Sequence, residues 1–283
     1  MTFEDEYPQE MLFLENATKE YILMSDEQEI FCYHSIDKKD SNKFTILFIQ
    51  GFGSGVYSWT DLWDELNKEF NLIVLDPRDK ETVKLNKKKK CTVQRIALDI
   101  AEVAHYFKID KEKLILFGSS IGASYIANSL RRRLIDPKCC FFAGPSVKPR
   151  NPKFLLKLAI ILPSNIVDIV GKFVGRKYLR NKVAEGFQRK VFYKRLEKID
   201  VRRWKRCIRI HNYIADEDFN AIECPVYIIT TKGDKYHHLE SVQEVHELIE
   251  NSTIVDVPSY EYYHTKPGVM EFTERISKLI YER

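Results

Sequence analysis

The sequence predicts an α/β protein built on a doubly wound, mostly parallel sheet, with a helical segment inserted after the sixth strand. Three observations carry this expectation. Strand and helix signals alternate along most of the chain, and the last six strand signals are continuous apolar runs, as a sheet covered on both faces requires. The alternation breaks once, between about residues 145 and 215, where the pattern turns helical and strongly basic.

The strand signals come in order. Tyr21–Met24 and Glu29–Ile36 lead, followed by Phe44–Gln50, Asn71–Leu75, Leu114–Phe117, Cys139–Ala143, Val226–Thr231 and Thr253–Val257. Amphipathic helical patterns fall near 58–69, 93–107, 121–133, 238–250 and 267–281. Within the inserted region, FLLKLAIILPSNIVDIVGKFVG (154–175) reads as two amphipathic segments broken at Pro163, and Val183, Phe187, Val191 and Leu196 share one face of a following helix. The expected organisation is a core of 1–144 and 216–283 with a basic helical cap at 145–215. No internal repeat and no low-complexity linker interrupts it, and KLNKKKK at 84–90 reads as a solvated loop.

The 283 residues, 44% apolar and 30% charged, are enough for one large domain with its own core, and no apolar run is long enough to span a bilayer. The N-terminal MTFEDEYPQE lacks a basic, then apolar, secretory pattern, so a cytoplasmic location is expected. The six cysteines show no metal-ligand spacing and read as reduced, partly buried thiols. The net charge of +4 hides a strong asymmetry. Residues 145–210 carry 19 Lys and Arg against four acids, a local charge of +15, which leaves −11 on the rest of the chain. Such a segment expects an anionic partner, for which an anionic membrane surface is the candidate. No nucleic-acid partner is expected, because no recognised binding motif accompanies the charge.

The chemistry-bearing motif is Gly118-Ser119-Ser120-Ile121-Gly122, a G-x-S-x-G string lying directly between an apolar strand and a small-residue helix. A nucleophile on such a turn needs flanking residues without bulk, so that strand and helix can approach closely. It also stands at a helix N-terminus, where unpaired N–H groups favour an oxyanion. Ser120 is the candidate nucleophile and the Ile121 N–H a candidate oxyanion donor; Ser119, which lacks a glycine on both flanks, is the weaker rival. A serine of this kind needs a histidine base and a carboxylate to orient it, in the order Ser, Asp/Glu, His. VYIITTKGD ends in Asp234 at a strand's carboxyl end, and His264 lies in a loop before the last helix, so these complete the expected triad. Asp256 is a rival acid. His34, His105, His211, His237, His238 and His246 are read as structural or solvated. The second oxyanion donor is expected from Gln50-Gly51-Phe52-Gly53-Ser54-Gly55 after the third strand, with the Phe52 N–H as the choice.

IQGFGSGVYSW, LDPRD, LILFGSSIGASY, VYIITTKGD and the histidine before the last helix together resemble the α/β-hydrolase superfamily of the serine-nucleophile, capped type. The resemblance implies a serine hydrolase without metal or organic cofactor, acting on a small-molecule ester or thioester, some amides or certain C–C bonds; the apolar stretch 154–175 adds the expectation of an apolar acyl or alkyl part in an ester or thioester substrate. The resemblance also implies that 145–215 is a cap; the apolar faces in 154–175 are expected to line an acyl or alkyl pocket, with a solvated lysine-rich lid as the alternative. A catalytically silent binding protein and an acyltransferase using the same triad are the alternatives. Two departures stand out: Gln50-Gly51 replaces the family's usual His-Gly, and Asp76-Pro77-Arg78-Asp79 lacks the glycines of the corresponding stretch.

Overall fold

The computed structural model describes residues 11–37, 40, 42–52, 54–84, 86, 88–148, 158–182, 186–231 and 239–282. Eight strands form one sheet: β1 (Thr18–Leu23), β2 (Glu29–Ser35), β3 (Thr45–Ile49), β4 (Asn71–Asp76), β5 (Leu114–Ser119), β6 (Cys139–Ala143), β7 (Val226–Thr230) and β8 (Ser252–Asp256). Their spatial order is β1-β2-β4-β3-β5-β6-β7-β8. β2 pairs antiparallel with both β1 and β4, and every pairing from β4 through β8 is parallel.

Every residue of β3 to β7 is buried, as the continuous apolar runs predict. Alternate residues enter opposite layers. On one face Leu47, Ile49, Leu116 and Phe142 pack with α3 (Val93–Tyr106) and α4 (Ile121–Arg131); on the other, Ile46, Phe48, Phe117 and Phe141 pack with α2 (Thr60–Glu69) and α10 (Gly268–Tyr281). β8 departs from the expectation of a strand buried on both faces. It is the sheet edge, and of its five residues only Val255 is buried.

The remaining helices are α1 (Leu12–Asn16), α5 (Ser164–Lys182), α6 (Phe187–Lys198), α7 (Val201–Cys207), α8 (Asp216–Asn220) and α9 (Leu239–Leu248). The described chain between β6 and β7 is thus predominantly helical, with 158–161 and α5 separated around Pro163 as the sequence expects. Asp200 caps α7, accepting from the backbone N–H groups of Arg202 and Arg203. α5 packs on α6, with Leu196 filling the space beside Gly175.

Basic side chains join this segment to the core. Arg195 of α6 donates to the Phe52 carbonyl, while Arg203 and Arg206 of α7 donate to the carbonyls of Val83 and Lys89. Lys194 and Lys198 lie over the Tyr57 ring. The expectation of six reduced thiols is corrected here: Cys91, just before α3, is disulfide-bonded to Cys207 at the end of α7. The two are 116 residues apart, and the strand-helix folding between them, which no cysteine spacing announces, brings them together. Cys32, Cys139, Cys140 and Cys224 remain thiols.

Alkylation of the denatured protein without reduction is therefore expected to modify four cysteines, and six after reduction; six in both cases would show the pair open. Cys207→Ser is expected to lower unfolding stability by about 2–5 kcal/mol, measured by denaturant titration, because the bond closes a long loop.

Candidate functional site

The site is built at the carboxyl edge of the parallel strands, where ligand sites gather in folds of this kind. β5 ends at Ser119, and Ser120 stands at the N-terminus of α4 with φ 51° and ψ −122°. A side-chain-bearing residue rarely adopts this backbone conformation. The sharp turn brings strand and helix so close that a Cβ on Gly122 would lie 2.5 Å from the Ile49 carbonyl oxygen. A Cβ on Gly118 would lie 2.8 Å from the Ala123 nitrogen. Both glycines of the motif are thus required by the approach of backbone to backbone. The Ser120 N–H donates to the Ala143 carbonyl of β6 at 2.8 Å, which anchors the turn to the sheet.

Ser119 has a different task. Its buried hydroxyl accepts the Gly51 N–H at 3.0 Å, tying the glycine loop after β3 to the end of β5. Three further side chains hold that loop. Lys80 donates to the carbonyls of Gly51 at 2.6 Å and Ser54 at 2.9 Å, Gln50 Nε2 donates to Asp76 Oδ1 at 2.5 Å, and Arg195 reaches the Phe52 carbonyl. The Gln50 side chain, standing where the resemblance leads one to expect histidine, is thereby a link between β3 and β4. Sequence reasoning read Ser119 only as a rival nucleophile and missed Lys80 and Arg195, since only proximity in space marks out their hold on the loop. Asp76 belonged to the quoted LDPRD stretch, but its partner could not be read from it.

Burial sets the electrostatics of this corner. Asp76 is fully enclosed, and desolvation pushes its carboxyl up to about 6 against the opposing pull of Lys80 and the Thr82 hydroxyl. Desolvation also lowers the Lys80 ammonium, which Asp79 and Asp76 partly offset. His211, edge-on to Phe52 at 4.5 Å, is pushed down to about 4 by burial and by the nearby Arg195 charge. It is therefore neutral at pH 7.

His264 lies just past a short helical turn, Glu261–Tyr263, between β8 and α10. The residue is 2% exposed, and its ring is stacked on Tyr260 at 3.9 Å, with Tyr263 at 4.2 Å and Trp59 at 4.3 Å. Trp59 also meets Phe48 of β3 and Phe117 of β5, so the histidine is packed toward the strands that carry the glycine loop and Ser120. Asp61 of α2 secures the loop by accepting the Lys266 N–H at 3.0 Å. His264 Nδ1 is 2.8 Å from the Tyr260 carbonyl oxygen. A carbonyl only accepts, so in this contact Nδ1 is the donor. Among the described residues no hydrogen bond joins the Ser120 hydroxyl to this ring. Asp234 lies outside the described residues, as do His237 and His238. The rival Asp256 is exposed on the edge strand.

A cavity of about 260 Å³ lies beside the glycine loop, lined by Gln50, Phe52, Asp76 and Lys80 from the core and by Val191, Arg195 and Trp204 from α6 and α7, among others. Neither Ser120 nor His264 lines it; it adjoins the elbow through Gln50 and Phe52. The expectation that the apolar faces of 154–175 form an acyl pocket is corrected for the described part of that range. Its side chains do not line this cavity, and Ile160, Ile161, Ile169 and Phe173 are exposed. The segment turns its apolar residues outward because α6, through Leu196, takes up the inner side of α5 at Gly175.

The sheet order, the strained turn after β5 and the helical segment after β6 define the α/β-hydrolase fold, and comparison with solved structures agrees. An esterase from Rhodococcus sp. ECU1013 aligns over 93% of this chain and 98% of its own at 14% identity, with a TM-score of 0.72. The esterase EaEST from Exiguobacterium antarcticum aligns over 93% and 100% at 13% identity and the same TM-score. A thermophilic esterase from Thermogutta terrifontis aligns over 94% and 99% at 16% identity, again at 0.72. No protein-family model matches the sequence, and no curated protein matches it significantly.

The depressed His211 value has a consequence for stability. The unfolded chain takes up this proton near pH 6.5 and the folded chain only near 4, so the contribution is a loss of stability as pH falls through that window. His211→Phe is expected to flatten the pH dependence of unfolding between 6.5 and about 4 relative to the parent protein, as read by thermal denaturation. Parallel curves for the two proteins would refute the assignment.

Proposed function

We propose that the protein is a serine hydrolase that cleaves a small-molecule carboxylic ester or thioester through an acyl-enzyme. The observation that carries this reading is Ser120 at a positive-φ turn between β5 and α4. In this geometry a hydroxyl stands proud of the sheet edge beside unpaired helix N–H groups. Ser120 is the nucleophile, His264 the base acting through Nε2, and Asp234 the acid that stabilises the imidazolium. The Tyr260 carbonyl supports the same tautomer by accepting from Nδ1.

The backbone N–H groups of Phe52 and Ile121 are the proposed oxyanion donors, each worth about 3–4 kcal/mol in comparable sites. The contacts of Lys80, Ser119 and Gln50 with the loop favour this assignment, because preorganised donors need not reorient when charge develops. Residues 145–215 act as the cap, with an anionic membrane surface as the partner of their positive charge. The substrate's apolar part and the absence of a cofactor remain within this reading.

A cytoplasmic location belongs to the proposal too, although the Cys91–Cys207 bond weighs against a reducing compartment. Among the described residues no helix is long and apolar enough to cross a membrane.

A second reading, a catalytically silent binding protein, draws on the cavity that is lined by Gln50 and Phe52 but not by Ser120. Fluorophosphonate labelling separates the two. The hydrolase reading expects covalent labelling that disappears in Ser120→Ala, and His264→Ala is expected to lower kcat on activated esters by about 10³-fold or more. Unlabelled parent protein would favour the binder, and product analysis with competing alcohols or amines identifies an acyltransferase. Lys80→Met is expected to reduce kcat by roughly 10–100-fold with an unchanged circular dichroism spectrum, since it frees the loop that presents the oxyanion donor.

A further inference from the structure

We infer that α5 is an interfacial anchor: its outward apolar face inserts into the headgroup region of an anionic lipid bilayer while its basic residues bind the lipid phosphates and carboxylates. The inference rests on the proposed membrane partner and deepens it by naming the element that makes contact. It does not depend on Ser120 being a nucleophile.

The argument starts from helical geometry. With 3.6 residues per turn, Ile166, Ile169, Val170 and Phe173 fall on one side of α5, and Leu179 falls on the other. Leu179 is buried and Gly175 meets Leu196 of α6, so the inner side is spoken for. The outer residues are strongly exposed: 71% for both Ile169 and Phe173, with Ile166 and Val170 also open to solvent. Just before the helix, Ile160 and Ile161 are exposed as well, the latter at 80%. Isolated surface hydrophobes are ordinary, but a run of large ones along one helix face marks a contact surface.

The next turns of the same helix identify the partner. Arg176, which also pairs with Glu197 of α6 at 3.2 Å, Lys177 and Arg180 are exposed and follow directly on the apolar turns, so the outward face changes from apolar to cationic along its length. Long basic side chains can lie along an inserted helix and carry their charge to the headgroups. A polybasic surface gains from anionic lipid, and the surrounding stretch 145–210 has a local charge of +15. The same charge opposes a second copy of the chain as the occupant, because two such faces would repel. At 19 residues, with Asp168 and Lys172 paired on its inner side, α5 is suited to lying in the interface.

The test is flotation with vesicles of pure phosphatidylcholine and of phosphatidylcholine with 30% phosphatidylserine, using the full chain. Binding is expected to be at least tenfold stronger to the anionic vesicles and to persist in part at 0.5 M NaCl. Ile169→Asp with Phe173→Asp is expected to cut it at least tenfold while leaving circular dichroism and fluorophosphonate labelling unchanged. Absence of binding to anionic vesicles would overturn both the partner and the anchor. Binding that salt abolishes and the double variant does not weaken would overturn the anchor alone, leaving a purely electrostatic contact. A parent dimer that the double variant converts to a monomer would also overturn it, making the face a subunit interface. Loss of labelling in the parent protein with vesicle binding intact would count against the hydrolase reading only.

Discussion

The backbone at Ser120 is the constraint around which the rest is arranged. Holding a serine at φ 51° costs about 1–3 kcal/mol, and nothing in its local sequence stabilises that state. Packing imposes it. β5 is locked between β3 and β6 by parallel ladders, while α4 is pressed against the sheet by Ala123, Ile126 and Ala127, so the connection between them has room only for a sharp reversal. Gly118 and Gly122 remove the side chains that would hold strand and helix apart. The core thus supplies the strain, and a well-packed interior resists its relaxation.

The loop after β3 poses the opposite problem. Glycine lets a backbone reach unusual conformations but does not hold it in any of them. Here the holding falls to polar side chains from four places: Ser119 at the end of β5, Gln50 with Asp76 across β3 and β4, Lys80 from the β4 loop and Arg195 from α6. Two of these carry buried charge, which burial alone would penalise. Lys80 offsets the cost through two carbonyls and Asp79 at 3.4 Å. The Arg78 side chain, bonded to both Asp26 and Asp99, keeps the following turn in place.

These two features were unequally legible in the sequence. The doubly wound sheet could be read from the apolar runs of β3 to β7, and the elbow from two glycines at fixed offsets, because both express local rules. Ser119 shows the limit. Its neighbours in sequence mark it as a weaker copy of Ser120, and only the approach of Gly51, 68 residues away, gives it a separate task. The Cys91–Cys207 bond and the Arg195 contact were hidden for the same reason, since both depend on how the helical segment lies over the loops after β3 and β4. The apolar residues of 158–174 misled in another way. Periodicity reports that a helix has an apolar face; it does not report whether that face turns inward or outward, and here the position of α6 decides.

The basic charge of that segment likewise divides by position rather than by sequence. Arg195, Arg203 and Arg206 spend their donors on carbonyl oxygens at Phe52, Val83 and Lys89, so part of the +15 that reads as a signal for an anionic partner is structural. A guanidinium suits this use, because its fixed fork of N–H donors can reach carbonyls, and Arg203 also has Asp200 at 3.7 Å. Among the described residues left open to solvent, Arg176, Lys177 and Arg180 lie together on α5, and Lys148, Lys190, Lys198, Arg202 and Arg209 are exposed elsewhere in the segment. The segment therefore has two electrostatic faces with different acceptors. The inner one bonds to backbone and is tied by the disulfide, and it makes the glycine loop depend on α6 and α7. The outer one, beside exposed Ile169 and Phe173, faces solvent with Arg176 bonded to Glu197 of α6, and this division ties the placement of α5 to the same packing that steadies the loop beside Ser120.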